Sequence, residues 1–380
     1  MIPASWATRP LRLYSGAPQV ENFRSLGAIF PVRVIRRART RSPMENGPAI
    51  HLPDQFSFQG QTLKTKPFLE EMETTGLIVL TDDRVVFEQY WLGNDATTQT
   101  ASWSLVKSFV SALVGIAVGE GVIASIEDPV TRYVQTLTGS GYDGVRLKDV
   151  LQMSSGIRWN EDYSDPESDI RRSGRALGQG GSLDSFAASC VRECEPGTFN
   201  RYNTTDTHVL GMVLRGATSK VLSEYLQEKL WEPMGMEADA FWIVDSTGAE
   251  FAGAGLSAVL RDYARLGLLY LNDGARNGAQ IVPADWVRAS VTADAPHLRP
   301  GERPNAAVPW GYGFQWWLPD DSGAFSAIGI YNQYIFVDPA TRLVVAKTSA
   351  FRDFAATRAP AAYRIGDHFA FFRAIAAQCR

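Results

Sequence analysis

The sequence predicts an α+β fold, an antiparallel sheet flanked by helices and interrupted by a mostly helical domain. Strand-like runs rich in β-branched and aromatic residues gather near both ends of the chain. Short helical segments fill the stretch between them, and no internal repeat is apparent. Such an order draws the strands of one sheet from both ends of the chain.

The elements follow in order. Residues 1–60 are rich in Pro, Arg and Gly with little periodicity and read as an arm laid over a larger body. The sheet domain is expected in two pieces, 61–124 and 300–380, around a helical domain at 125–299. Gly76 to Leu80 and Val85 to Trp91 flank a turn at Asp82-Asp83-Arg84 and predict a hairpin. A helix follows from Ser104 and stops near Gly119 to Gly121. Two further helices are clear, Thr205 to Gly216, capped by Thr204 or Thr205, and Arg261 to Leu271, with apolar positions at Tyr263, Leu266, Leu269 and Tyr270. Strands return at Gly311 to Leu318, Ala324 to Ile328, Gln333 to Val337 and Leu343 to Thr348. The last two are joined by the turn Asp338-Pro339-Ala340. A helix from Ala359 to Ala377 closes the chain.

Composition bounds the function. The chain has 380 residues, 45% hydrophobic and 21% charged, and a net charge of -4 that leaves no basic footprint for nucleic acid. Cys190, Cys194 and Cys379 form neither a disulfide framework nor a zinc pattern, which fits a reducing, cytoplasmic setting. The arginines from Arg33 to Arg41 run into Ser42-Pro43 rather than an apolar stretch, so neither a signal peptide nor a membrane span is expected. His51, His208, His297 and His368 are scattered, and no metal motif, G-x-S-x-G elbow, Walker motif or dinucleotide fingerprint occurs. No metal or cofactor is expected. His208 reads as a packed helix residue and Gly253-Ala-Gly255 as a close-packed turn.

The most informative stretch is Ser104-Leu105-Val106-Lys107 with the apolar run behind it. Residues i and i+3 share a helix face, so the Lys107 amine reaches the Ser104 hydroxyl. A serine is a weak nucleophile until a base takes its proton, and burial against Phe109, Val110, Leu113 and Val114 would disfavour the ammonium and make Lys107 that base. Backbone N–H groups at the helix start could stabilise an oxyanion. Departure of the leaving group needs a second proton handler. Tyr202 is the candidate, on a loop after the Pro196-Gly197 turn, its pKa expected to be lowered by neighbouring cations.

Three motifs occur in a shared order: Ser104-x-x-Lys107; Pro196-Gly-x-x-Phe199-x-x-Tyr202-Asn-x-x-Asp206-x-x-Val209-Leu-Gly211; and Ala327-Ile-Gly329-Ile330-Tyr-Asn-Gln333 running to Pro339. In this the chain resembles the serine β-lactamase and penicillin-binding-protein superfamily. Within it the chain is similar to the class C related branch of 6-aminohexanoate-dimer (nylon oligomer) hydrolases and related esterases, as is Trp159-Asn-Glu-Asp-Tyr163-Ser-Asp165-Pro166. The resemblance implies a β-lactamase/DD-peptidase-like fold, an acyl-enzyme on Ser104, Lys107 as base and Tyr202 as acid/base. It also implies an oxyanion hole of the Ser104 and Ile330 N–H groups, with Tyr163 and Trp316 in the substrate pocket.

Two departures shape the expected activity. Penicillin-recognising relatives carry Lys-Thr-Gly or His-Thr-Gly where this chain has Ala327-Ile328-Gly329, so the grip on a substrate carboxylate is missing. Thr204 stands where a Tyr-x-Asn element has asparagine, which favours simple esters. The expected function is hydrolysis of a linear amide or carboxylic ester of a small molecule. A β-lactamase or D-amino-peptidase and a non-catalytic binding module on the same fold are the alternatives, and an oligomer is possible.

Overall fold

The computed structural model describes residues 19–355 and 363–379. Its main sheet has eight strands in the spatial order Gly311–Tyr312, Trp317–Leu318, Phe325–Gly329, Gln333–Asp338, Leu343–Ser349, Thr74–Thr81, Arg84–Tyr90 and Glu45–Asn46. Every pairing is antiparallel except the last. The late strand Leu343–Ser349 thus lies directly against the early strand Thr74–Thr81, Val345 opposite Val79.

Alternation along these central strands feeds two cores. Ile78, Leu80, Ile335 and Val344 face the interior shared with helices Val106–Gly119 and Leu260–Leu271, whereas Leu77, Val79, Phe336 and Val345 face the C-terminal helix Ile365–Gln378. Because both faces are covered, the strands read as nearly continuous apolar runs. Gly267 lets helix Leu260–Leu271 settle on the sheet: a Cβ there would lie 2.5 Å from Val344. Helix Val106–Gly119 is buried on all sides from Val106 to Ala117, the mark of a central helix rather than an amphipathic surface one.

Several elements differ from the expectations. Gly311 to Leu318 is not one strand but two short arms around Gln315, whose φ of 62° turns the chain. The last helix begins at Ile365; Ala359 and the expected first turn lie outside the described residues. Of the arm, residues 1–18 also lie outside them, while the rest is woven into the body. Val32–Ile35 pairs with Ala240–Ile243, and Glu45–Asn46 joins the main sheet. Val32–Ile35, Ala240–Ile243, Leu256–Ala258 and Thr100–Ala101 form a second, four-stranded sheet. Its strands are two to four residues long and too short to show a period.

That small sheet positions the site. Thr100–Ala101 is its last strand, Ser102 N donates to Leu256 O at 2.8 Å, and the chain then turns through Trp103–Leu105 into the central helix.

Candidate active site

Ser104 sits in the single 3₁₀ turn Trp103–Leu105, one residue after a backbone outlier. Trp103 has φ 47°, a left-handed conformation that costs a bulky residue on the order of 1–3 kcal/mol and persists only where packing enforces it. The Trp103 ring is 5% exposed, packed 5.1 Å from Phe23 and 5.4 Å from Tyr331. Strand Phe325–Gly329 closes the other side. Its ladder to Trp317–Leu318 is a single pair at Ser326, so the Ala327–Gly329 end faces the Ser102–Leu105 segment. Gly329 makes that approach possible, since a Cβ there would lie 2.4 Å from Ser102 O. Ile330 follows it and lines the same cleft as Ser104.

Lys107 is 2% exposed, and its Nζ lies 3.0 Å from Ser104 Oγ, 3.2 Å from Thr204 Oγ1 and 2.5 Å from Gly253 O. Among the described residues no carboxylate touches it. Burial therefore dominates and lowers its pKa from the ordinary lysine value to about 7, with the more distant charges of Glu161 and Asp206 pulling the other way. Such an amine exchanges its proton at neutral pH.

Tyr202 lies over this pair, its ring centroid 5.2 Å from Lys107 Nζ. Its pKa is raised, not lowered as expected from neighbouring cations. Burial is the main cause, the Glu161 charge adds to it, and the nearby Ser104 hydroxyl only partly opposes them. Tyr202 is thus held protonated, a donor at rest. The loop carrying it is fixed by Asn203, which caps helix Thr204–Thr218 by accepting from Thr205 N at 2.8 Å, so the cap is Asn203 rather than Thr204 or Thr205. Asp206 takes Tyr142 Oη, Ser155 Oγ and Asn203 Nδ2 on one oxygen at 2.8–2.9 Å, and burial pushes its pKa up to about 8.

Glu161 sits beside Thr204. It accepts from Thr204 Oγ1 at 2.6 Å, Thr204 N at 3.1 Å, Tyr163 Oη at 2.6 Å and Trp159 Nε1. The site opens into a cleft of about 1040 Å³ walled by Trp159, Tyr163, Tyr202, Trp310, Trp317, Ile328, Phe354 and Tyr363. Among the described residues, the two arginines in its wall are already engaged, Arg201 with Glu193 and Arg364 with Glu71 and Asp367. Among the described residues no group of His, Cys, Asp and Glu could hold a metal ion, and no helix is long and apolar enough to cross a membrane.

Residues 65–369 match the β-lactamase family. The chain belongs to the β-lactamase family. It is 32% identical over 339 residues to the 6-aminohexanoate-dimer hydrolase of Paenarthrobacter ureafaciens, covering 87% of this chain and 85% of that one. A Bacillus anthracis structure, provisionally named a 6-aminohexanoate-dimer hydrolase, superposes with a TM-score of 0.84 at 22% identity, over 96% of this chain and 95% of the other. EstCE1, described as a hydrolase with promiscuous acyltransferase activity, superposes at 0.64 and 16% identity, over 81% and 96%. The fold is the β-lactamase/penicillin-binding-protein one expected.

In this β-lactamase-family chain the structure brings Ser104, Lys107, Tyr202, Ile330 and Tyr163 to one cleft. It does not bring Trp316. That ring is wholly buried, 4.5 Å from Tyr270 and 5.1 Å from Phe325, and its neighbour Trp317 lines the cleft instead, stacked on Tyr202 at 5.0 Å. Gln315, at φ 62°, turns the chain here, so that Trp316 enters the core and Trp317 the cleft. Glu161 and the Gly253 carbonyl were missed because only the fold carries them to Lys107. His208 is a packed helix residue, bonded to Asp184 at 2.8 Å.

Proposed function

We propose that this hydrolase cleaves an uncharged, linear carboxylic ester or amide through an acyl-enzyme on Ser104. Lys107 takes the serine proton, the N–H groups of Ser104 and Ile330 receive the oxyanion, and Tyr202 protonates the leaving group. The observation that carries the reading is a buried amine with no ion-pair partner among the described residues, 3.0 Å from a serine hydroxyl that lines a cleft. The 6-aminohexanoate-dimer hydrolase relative supports the amide side, and the aromatic walls with their already paired arginines favour an uncharged acyl group over an anionic one.

A fluorophosphonate probe followed by mass spectrometry of the digested protein tests this directly. One adduct is expected, on the peptide containing Ser104, and p-nitrophenyl ester turnover should vanish in step with labelling. An adduct elsewhere, or none, defeats the assignment.

Gly329→Ala supplies a second check on how the oxyanion site is built. The glycine's φ lies outside the left-handed region, so alanine is conformationally allowed and the harm is steric, a Cβ 2.4 Å from Ser102 O. Forcing the serine segment and strand Phe325–Gly329 apart by even ~1 Å should lower kcat/KM for p-nitrophenyl esters by about 100-fold. Native turnover in that variant would show that the close approach has no role.

A further inference from the structure

We propose that Glu161 and Thr204 are positioning residues that set the direction of the hydrogen bonds around Lys107, so that when the amine loses a proton its lone pair faces the Ser104 hydroxyl. The inference rests on the reading of Ser104 as nucleophile and adds two residues to it. Three atoms surround Lys107 Nζ: Ser104 Oγ, Thr204 Oγ1 and Gly253 O. An ammonium donates to all three. A neutral amine keeps two N–H groups and one lone pair, and which neighbour meets the lone pair depends on which neighbour has a hydrogen to give.

Gly253 O has none and only accepts. Thr204 has one hydroxyl hydrogen, and it is committed to Glu161 Oε1 at 2.6 Å. Thr204 therefore faces Lys107 as an acceptor, as Gly253 does. Ser104 is the one neighbour left whose hydrogen can point at nitrogen. Glu161 is itself held for this task by Tyr163 Oη, Trp159 Nε1 and the Thr204 N–H, all donors, so nothing competes to turn the Thr204 hydroxyl around.

The step that follows balances. Ser104 Oγ bonds to the substrate carbonyl carbon, its proton passes to the Lys107 lone pair, and the carbonyl π electrons move onto the oxygen. Were Thr204 free to donate, its hydrogen would occupy that lone pair and the amine would offer Ser104 only N–H, which cannot take a proton. The charged groups that bear on Lys107 are Glu161 and Asp206, with the Tyr202 ring at 5.2 Å.

Three variants test the proposal, read by the pre-steady-state acylation rate with p-nitrophenyl butyrate and by the pH profile of kcat/KM. Thr204→Val keeps the shape and removes the hydroxyl. It should acylate about 10- to 100-fold more slowly, a share of the roughly 10²–10⁴ that a placed base contributes. Thr204→Ser should recover most of that loss. Glu161→Gln offers an amide N–H that turns the Thr204 hydroxyl toward Lys107, so the plateau should fall. Removing the negative charge also disfavours the ammonium, so the acid limb of the profile should move to lower pH, which a merely structural defect would not do. Should Thr204→Val fail to fold, as judged by its melting curve, the Glu161→Gln limb decides. Native acylation by Thr204→Val, or an unmoved limb in Glu161→Gln, overturns the proposal. Ser104→Ala run alongside separates the two levels: turnover by that variant would remove the nucleophile assignment itself, whereas an inert Ser104→Ala beside a native-like Thr204→Val would remove only this inference.

Discussion

Lys107→Arg is expected to inactivate the enzyme about as completely as Lys107→Ala, by roughly 10²–10⁴ in kcat/KM for an ester substrate. The two substitutions fail for different reasons. Alanine removes the base, whereas arginine brings a guanidinium that stays charged at any working pH and has no lone pair to receive the serine proton. The surroundings sharpen the contrast. Lys107 is 2% exposed and meets two hydroxyls and a carbonyl, with no carboxylate in contact, so a permanent charge there is buried without an ion-pair partner. The same burial that lowers the lysine to about 7 predicts the pH dependence of the native enzyme. The neutral, competent form increases as pH rises, so kcat/KM should climb through about 7 and level off above it, and that limb should be absent from the residual rate of Lys107→Ala. Parallel melting curves separate loss of fold from loss of chemistry. An arginine variant that keeps more than a few per cent of native activity would show Lys107 to be an electrostatic support rather than the base.

The candidate site was legible in part because it is local or carried by motifs. Ser104 and Lys107 are three residues apart, and their contact follows from helical geometry before any fold is known. Tyr202 stands out by its turn and motif, and the fold sets its ring 5.2 Å from Lys107 Nζ. Helices such as Leu260–Leu271 and strands such as Gln333–Asp338 were legible because burial of one face or of both imposes a pattern on the residues. What could not be read has a common cause, dependence on tertiary placement. Glu161 lies 54 positions from Lys107 by number and is joined to it only through Thr204. The Gly253 carbonyl is a backbone atom, and any residue type would supply one. The Tyr202 pKa went the other way from expectation because burial outweighs its neighbours, and burial is a property of the fold. Which of the adjacent rings Trp316 and Trp317 meets the cleft is set by the bend at Gln315, φ 62°, and not by any pattern in the residues.

Penicillins and cephalosporins should acylate Ser104 poorly while p-nitrophenyl esters of short acyl chains turn over. At the position where penicillin-recognising relatives place a cation and a hydroxyl, this chain has Ala327, 1% exposed, and Ile328, which lines the cleft wall opposite Tyr334 in the ladder. A carboxylate arriving there sheds water and gains no ionic partner, at about 1–3 kcal/mol for the unsatisfied group or more because it is charged. Among the described residues, the arginines of the cleft wall do not replace the anchor. Arg201 is paired with Glu193, and Arg364 with Glu71 and Asp367, so recruiting them means breaking ion pairs already made. Glu161, in the same cleft as Ser104, adds repulsion rather than attraction. A neutral ester or amide with an apolar acyl chain meets none of these costs and lies against Trp159, Trp310 and Trp317. Second-order acylation constants for a chromogenic cephalosporin and for p-nitrophenyl butyrate, measured on the same preparation, should differ by about 100-fold or more in favour of the ester, the ratio that ~3 kcal/mol supplies. Comparable constants would mean that the carboxylate finds a partner in the cleft after all, and the assignment to uncharged substrates would fall with the result.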